Sequence, residues 1–141
     1  MRFMVIVKAN RDSEAGALPD GKILAAMGKY NEELVKAGIL LAGEGLQPSS
    51  QGKRLTFAAD GGARVTDGPF AEAKEIIGGF WIWQVSSMEE AVEWLKRAPF
   101  RDQLVDLRKI LEPADLEGLL PQEVLDSEAR LRAQSAAATG E

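Results

Sequence analysis

The sequence predicts an α+β fold, and three observations carry this prediction. Two segments, Arg2–Lys8 and 77–85, have apolar residues on both faces of an extended strand. Two amphipathic helix patterns separate the strands, and Asp60-Gly61-Gly62 marks a hairpin. The resulting order is strand, helix, strand, hairpin, strand, helix, strand. This is a ferredoxin-like pattern, in which two crossovers place both helices on one face of the sheet.

The elements of the first half are placed by periodicity and by end signals. After the first strand, apolar residues at helical spacing predict a helix over 20–37, and Gly38 stands where a C-terminal cap is expected. The apolar residues are Ile23, Met27, Tyr30 and Leu34. A strand at 39–46, a turn at 48–52 and hairpin strands at 54–59 and 63–66 follow.

The second half begins with the strand at 77–85. Ser87 and Glu90 have the spacing of a capping box and predict the start of a second helix, which stops before Pro99. A last strand is expected at 104–111. The predicted domain is therefore 1–112, and 113–141 is a helical extension. It has one or two helices broken near Pro121 and a frayed tail from residue 135.

The apolar strands also predict an assembly. In the strand at 77–85, Phe80 and Ile82 point to one side, whereas Trp81 and Trp83 point to the other. One layer of helices covers only one of these faces. An apolar sheet face left bare would be larger than the patches that monomers usually expose, so the sequence predicts a homodimer.

The composition excludes several classes of function. There is no cysteine and no histidine, which excludes thiol nucleophiles, Ser-His dyads and the usual zinc sites. The net charge of −5 comes without a basic block, which disfavours nucleic acid as a partner. The apolar run at 1–7 is too short for a membrane span, so the expectation is a soluble cytoplasmic protein with no membrane partner.

No cofactor or metal site is predicted. Gly78-Gly79 lies inside a strand pattern and lacks the strand–loop–helix context of a phosphate-binding loop. These two glycines suit a bulge or a close backbone contact instead.

One run of residues resembles a known family. It is the turn Asp67-Gly68-Pro69-Phe70, followed by Lys74-Glu75, Gly78-Gly79 and Phe80-Trp81. The run resembles the YCII-related, DGPF-type family. The resemblance extends to Gly43-Glu44-Gly45-Leu46 and to Val105-Asp106-Leu107-Arg108, and so covers about residues 1–112. It implies a ferredoxin-like subunit whose sheet packs against a second copy to form a dimeric α+β barrel.

The resemblance implies two classes of function. The wider family suggests lactone-type hydrolytic or dehalogenating chemistry that uses a histidine–aspartate pair, which this chain cannot supply without histidine. DGPF-type proteins are also often associated with extracytoplasmic-function sigma factors, which would suit a non-catalytic accessory or sensing module. Whether the protein is an enzyme stays open at this point.

Glu44 is the first catalytic candidate. Its strand pattern places it on a face with Leu40, Ala42 and Leu46, where an ionised carboxylate needs a cation or a proton. Arg108 is the expected partner. The same two residues would equally form a buried or interfacial ion pair without turnover.

Asp67 is the second catalytic candidate, although an aspartate before Gly-Pro more commonly caps the N–H groups of its own turn. Lys74 would bind an anionic ligand, or it would pair with Asp67 or Glu72. If the protein is an enzyme, Arg108 or Lys74 would stabilise the anion that develops in the reaction.

Aromatic residues complete the candidate site. Trp81 and Trp83 would line a ligand cavity or belong to the core or the interface, and Tyr30 is a further acid–base or ligand-binding candidate. The predicted small-molecule pocket lies between the sheet and the hairpin, near the 67–70 turn, and its expected lining is Glu44, Asp67, Lys74, Trp81 and Arg108. A concave, polar-floored pocket containing Glu44 would favour an enzyme or ligand-handling protein, and a filled space would favour a non-catalytic module.

Overall fold

The computed structural model describes residues 1–71 and 75–140, and the chain forms two compact units, Met1–Lys109 and Ile110–Glu141. The first unit contains, in order, β1 (Arg2–Lys8), α1 (Arg11–Glu14), α2 (Gly21–Lys36), β2 (Leu40–Gly45), a 3₁₀ turn (Ser49–Gln51), β3 (Lys53–Phe57), β4 (Ala63–Asp67), β5 (Ile77–Gln84), α3 (Met88–Lys96) and β6 (Val105–Lys109). The second unit contains α4 (Pro113–Leu116) and α5 (Gln122–Thr139).

The first unit is built on a four-stranded sheet with the order β2–β5–β1–β6, in which every neighbouring pair is antiparallel. Strand β1 lies inside the sheet, so that Val5 stands opposite Trp81 on one side and Leu107 on the other. Strands β3 and β4 form a separate two-stranded hairpin. The predicted α+β class, with an antiparallel sheet and helices, is confirmed.

Local end signals set the ends of the two long helices of this unit. The Asp20 carboxylate accepts the Ile23 N–H at 2.9 Å before α2, and Gly38 has a left-handed φ of 73° after it. Before α3, the Ser87 hydroxyl accepts the Glu90 N–H at 3.1 Å. The Glu90 carboxylate turns to the Ser86 N–H and hydroxyl, and these hydrogen bonds lower the pKa of Glu90.

The core of the first unit lies between one face of the sheet and the two long helices. Trp81 and Trp83 stack at 5.5 Å between ring centroids, and Tyr30 lies 5.7 Å from Trp81. The other buried members of this cluster are Phe3, Val5, Leu34, Ile39, Val85 and Ala91. The Tyr30 hydroxyl donates to the Trp94 carbonyl oxygen at 2.5 Å and so connects α2 to α3.

The opposite face of the sheet is apolar at its centre. Met4 stands opposite Ile82, and Ile6 stands opposite Phe80. These four side chains are half-buried and lie outside the helix-side core cluster. The sheet therefore has two apolar faces, and α2 and α3 contribute their buried residues to one of them.

A β-bulge in β2 corrects one sequence prediction. Leu40 pairs with Trp83 and Ala42 pairs with Ile82, so Leu41 is the extra residue. Leu40 consequently faces the helix-side core, whereas Ala42 and Glu44 face the other side. The prediction that Leu40 shares a face with Glu44 is wrong, because strict alternation fails at a bulge.

The second unit is helical, with the predicted break near Pro121, which immediately precedes α5. Where the sequence predicts a frayed tail from residue 135, α5 continues to Thr139 and ends at Gly140 with a φ of 77°. Three consecutive alanines, residues 136–138, favour this last helical stretch. No helix in the described part of the chain has the length and apolarity to cross a membrane.

Gly43 gives a stability prediction, because it lies directly opposite Trp81. A Cβ at this position would stand 2.5 Å from Trp81 Cδ1, whereas nothing lies within 4 Å of a Cβ at Gly45. Gly43→Ala should therefore lower the free energy of unfolding by about 1–3 kcal/mol through overpacking. The matched control, Gly45→Ala, should change it by no more than about 0.5 kcal/mol. Chemical denaturation of the two variants measures this, and equal effects would contradict the close packing of Trp81 on Gly43.

Tyr30 gives a pH prediction, because burial raises its pKa to about 12. The unfolded chain releases this proton near the usual value of about 10. The unfolded state therefore loses the proton first, and stability should fall as the pH rises from about 10 to about 12.

Tyrosinate absorbance reports this group alone, since the chain has one tyrosine. Native protein should titrate near pH 12 and denatured protein near pH 10. The Tyr30→Phe variant should lack both the absorbance change and this component of the pH dependence. A native transition near pH 10 would show that the phenol is in contact with water.

Candidate functional site

A cavity of about 430 Å³ lies beside the turn at residues 67–70, within the size range of small-molecule sites. Its walls come from the segment after β2, the 3₁₀ turn, strand β3, the turn itself and the start of β5. The lining residues include Leu46, Pro48, Ser49, Arg54, Phe70, Glu75, Ile76 and Ile77. The lining, as far as residues 1–71 and 75–140 form it, is therefore mainly apolar, with one guanidinium and one carboxylate.

Ser49 holds the turn in place. This side chain is buried, its N–H donates to Glu14 Oε1 at 2.9 Å, and its hydroxyl donates to Glu14 Oε2. The same hydroxyl accepts the Phe70 N–H at 3.0 Å. Since the proton and one lone pair of the hydroxyl are engaged, Ser49 connects α1 to the turn and positions Phe70 at the cavity.

Gly68 allows the turn to approach the 3₁₀ segment closely. A Cβ on Gly68 would overlap the Ser49 carbonyl oxygen, so a residue with a side chain does not fit without movement of the backbone. The Gly68 N–H donates to the Gly52 carbonyl oxygen at 3.0 Å. The bond between Gly68 and Pro69 is cis. Gly68 and Pro69 lie outside the cavity lining, and Phe70 is the residue of the motif that lines it.

Among the residues that the structure describes, Asp67 does not make the contacts expected of a turn cap. Its carboxylate accepts from Lys53 Nζ at 2.6 Å, and both side chains are largely exposed. The N–H groups of Gly68 and Phe70 donate elsewhere, so the prediction that Asp67 caps them is wrong. The reason is that β4 includes Asp67, which places its side chain opposite Lys53 on the hairpin.

Glu44 and Arg108 lie on opposite edge strands of the sheet. Two strands, β5 and β1, separate them. At about 4.8 Å per strand, the three steps amount to about 14 Å, far beyond an ion-pair contact. Both side chains are exposed, so their predicted pairing within one chain is wrong.

The aromatic candidates lie in the helix-side core. Tyr30, Trp81 and Trp83 are buried against one another and against the helices, and none of them lines the cavity beside the turn. Lys74 lies outside the described residues. The structure therefore brings Tyr30, Trp81 and Trp83 together in the core, whereas Glu44, Asp67 and Arg108 lie apart from them and outside the cavity lining.

The residues that do meet at the cavity were mostly missed by sequence reasoning. Arg54 places its guanidinium 4.1 Å from the centroid of the Phe70 ring. Phe70 belongs to the recognised turn, but Arg54, Ser49 and Glu14 carry no local motif that separates them from other surface residues. Among residues 1–71 and 75–140, no group of three or more acidic side chains is arranged to hold a metal ion. The arrangement favours binding through apolar contact and one cation.

The comparison with family models matches the YCII-related domain over residues 1–112. This span ends close to the boundary between the two compact units, after Lys109. The comparison with curated proteins gave no significant match. Because the family model covers most of the sequence, this chain belongs to the YCII-related domain family.

Proposed function

We propose that this protein binds a small organic molecule in the cavity beside the 67–70 turn, and that it does so as a homodimer of ferredoxin-like subunits that form an α+β barrel. The observation that carries the proposal is the cavity itself. It has about 430 Å³ of space, an apolar lining and one guanidinium. Its wall is ordered by the Ser49 hydrogen bonds to Glu14 and Phe70.

The strand order supports the ferredoxin-like part of the proposal. Helix α2 connects β1 to β2, and in the order β2–β5–β1–β6 these two strands lie on either side of β5. Helix α3 connects β5 to β6, and these two strands are likewise separated by β1. Two such split β-α-β units with their helices on one face are the pattern of a ferredoxin-like subunit.

The second apolar face supports the dimer. Met4, Ile6, Phe80 and Ile82 form its centre and take no part in the helix-side core. A second copy would bury the same patch against itself, as a two-fold symmetric interface requires. Burial of apolar area in this way is the main favourable term in the association of subunits.

Ligand binding without catalysis is the simpler form of this function. Glu44 and Arg108 are far apart in one chain, and Asp67 is paired with Lys53 on the hairpin. An accessory or sensing role, with or without an extracytoplasmic-function sigma factor, would use the same cavity. An enzyme would need a general base at the cavity. Among the described lining residues, Glu75 is the side chain that could act as this base.

Sedimentation tests the dimer. The protein should sediment at about twice its chain mass of 15.3 kDa at micromolar concentration. Ile82→Lys should shift it towards the monomer, because a charge would be placed in the centre of the apolar face. The control Leu18→Lys changes a side chain that is 85% exposed and should leave the dimer intact. Circular dichroism checks that both variants fold, and a parent protein that sediments as a monomer would refute the barrel.

A thermal-shift screen with a library of small organic fragments tests the cavity. A compound at about 100 times its Kd should stabilise the protein by about 2.7 kcal/mol and raise the Tm by several degrees. Ile77→Trp should abolish these shifts, because Ile77 lines the cavity and the larger ring would occupy it. Val65→Trp places the same side chain at an exposed hairpin position outside the lining and should keep the shifts. Absence of any shift, or equal shifts in both variants, would contradict binding at this cavity.

A further inference from the structure

The charged groups of the cavity differ in how they are paired. Arg54 is exposed on β3, and its guanidinium lies over the Phe70 ring at 4.1 Å. In the part of the chain that the structure describes, no carboxylate lies within 4 Å of this guanidinium and no acceptor is hydrogen-bonded to it. A guanidinium has five N–H donors, so Arg54 has unused donors at the cavity wall.

Glu75, the acidic residue of the lining, has a cation beside it. Lys8 Nζ lies 4.0 Å from the Glu75 carboxylate and 3.3 Å from the Asp106 carboxylate. The Lys8 side chain is 13% exposed and is therefore held close to these two acids, whereas the Glu75 side chain is 75% exposed. Water and Lys8 both weaken the field of Glu75 inside the cavity. Among the charged groups that the structure describes at the cavity, Arg54 is the one without a counter-ion.

The surroundings of Arg54 indicate what kind of group fits beside it. Phe70 supports one side of the guanidinium, and its N–H is anchored on Ser49, which keeps the ring at the cavity. Arginine held in this way binds planar oxyanions, because two parallel N–H donors match the two oxygens of a carboxylate. The remaining walls, from Leu46, Ile76 and Ile77, offer apolar contact.

We propose that the ligand of this cavity is an organic anion, with a carboxylate or similar oxyanion on Arg54 and an apolar body against Phe70, Ile76 and Ile77. This inference rests on the proposed function of the cavity and specifies its ligand class. Arg54 provides the charge recognition. The apolar walls provide the contact area.

A matched pair of compounds tests the charge. 2-Naphthoate and 2-naphthamide share one ring system and differ in the anionic group, and calorimetry on the full chain gives the Kd of each. The naphthoate should bind at least about fivefold more tightly, as expected for a charge-assisted contact near the surface. Added salt should weaken naphthoate binding and leave naphthamide binding nearly unchanged.

Two variants of the hairpin assign the preference to one residue. Arg54→Gln should reduce the naphthoate-to-naphthamide ratio to about one, because the cation that contacts the carboxylate is lost. Arg64→Gln removes the same charge from β4, at an exposed position outside the cavity lining, and should keep the ratio. Circular dichroism spectra establish that both variants retain the fold.

The outcomes separate this inference from the proposed function. Equal binding of the two compounds to the parent, or an equal loss of preference in both variants, overturns the assignment of an anion to Arg54 and leaves ligand binding in place. Binding of neither compound, while fragments still raise the Tm, overturns the anion inference alone. Binding of neither compound in a protein that also shows no fragment shift overturns both.

Discussion

The burial of Trp81 and Trp83 beneath the two long helices is the constraint on which the first unit depends. Their rings stack on each other, and Tyr30 packs beside Trp81 and connects α2 to α3 through the Trp94 carbonyl oxygen. Because side chains alternate along a strand, this burial directs Phe80 and Ile82 of β5 to the opposite face. The same packing requires a glycine at position 43, where the Trp81 ring occupies the space of a Cβ.

The cavity follows from how the chain enters that strand. The turn before β5 is held by Ser49, which uses its N–H and hydroxyl to connect Glu14 of α1 with Phe70. This arrangement leaves Phe70 facing Arg54 of the hairpin, next to the isoleucines at the start of β5. A surface of this kind combines a fixed apolar wall with a cation, which suits recognition of a small molecule better than acid–base chemistry.

At the candidate site, the partners of the charged residues could not be predicted from the sequence. Glu44 and Arg108 each looked like a charge in need of a partner, but they belong to the two edge strands and are both exposed. Asp67 looked like a turn cap, yet the hydroxyl of Ser49 accepts the Phe70 N–H and the carbonyl of Gly52 accepts the Gly68 N–H. Of the turn at 67–70, recognised from its sequence, Phe70 lines the cavity. Partners such as Ser49 and Glu14 are 35 residues apart, and no local pattern links them.

The sequence by itself determined the order of the main strands and the two long helices, the α+β class, the caps at Gly38 and Ser87 and the two apolar faces of β5. These features depend on local propensity and on residue periodicity, which are properties of short segments. The tertiary structure decided the bulge at Leu41, the separation of Glu44 from Arg108 and the meeting of Arg54 with Phe70. Each of these depends on strand register or on contacts between distant segments, and a single amino-acid sequence specifies those only through the packed fold.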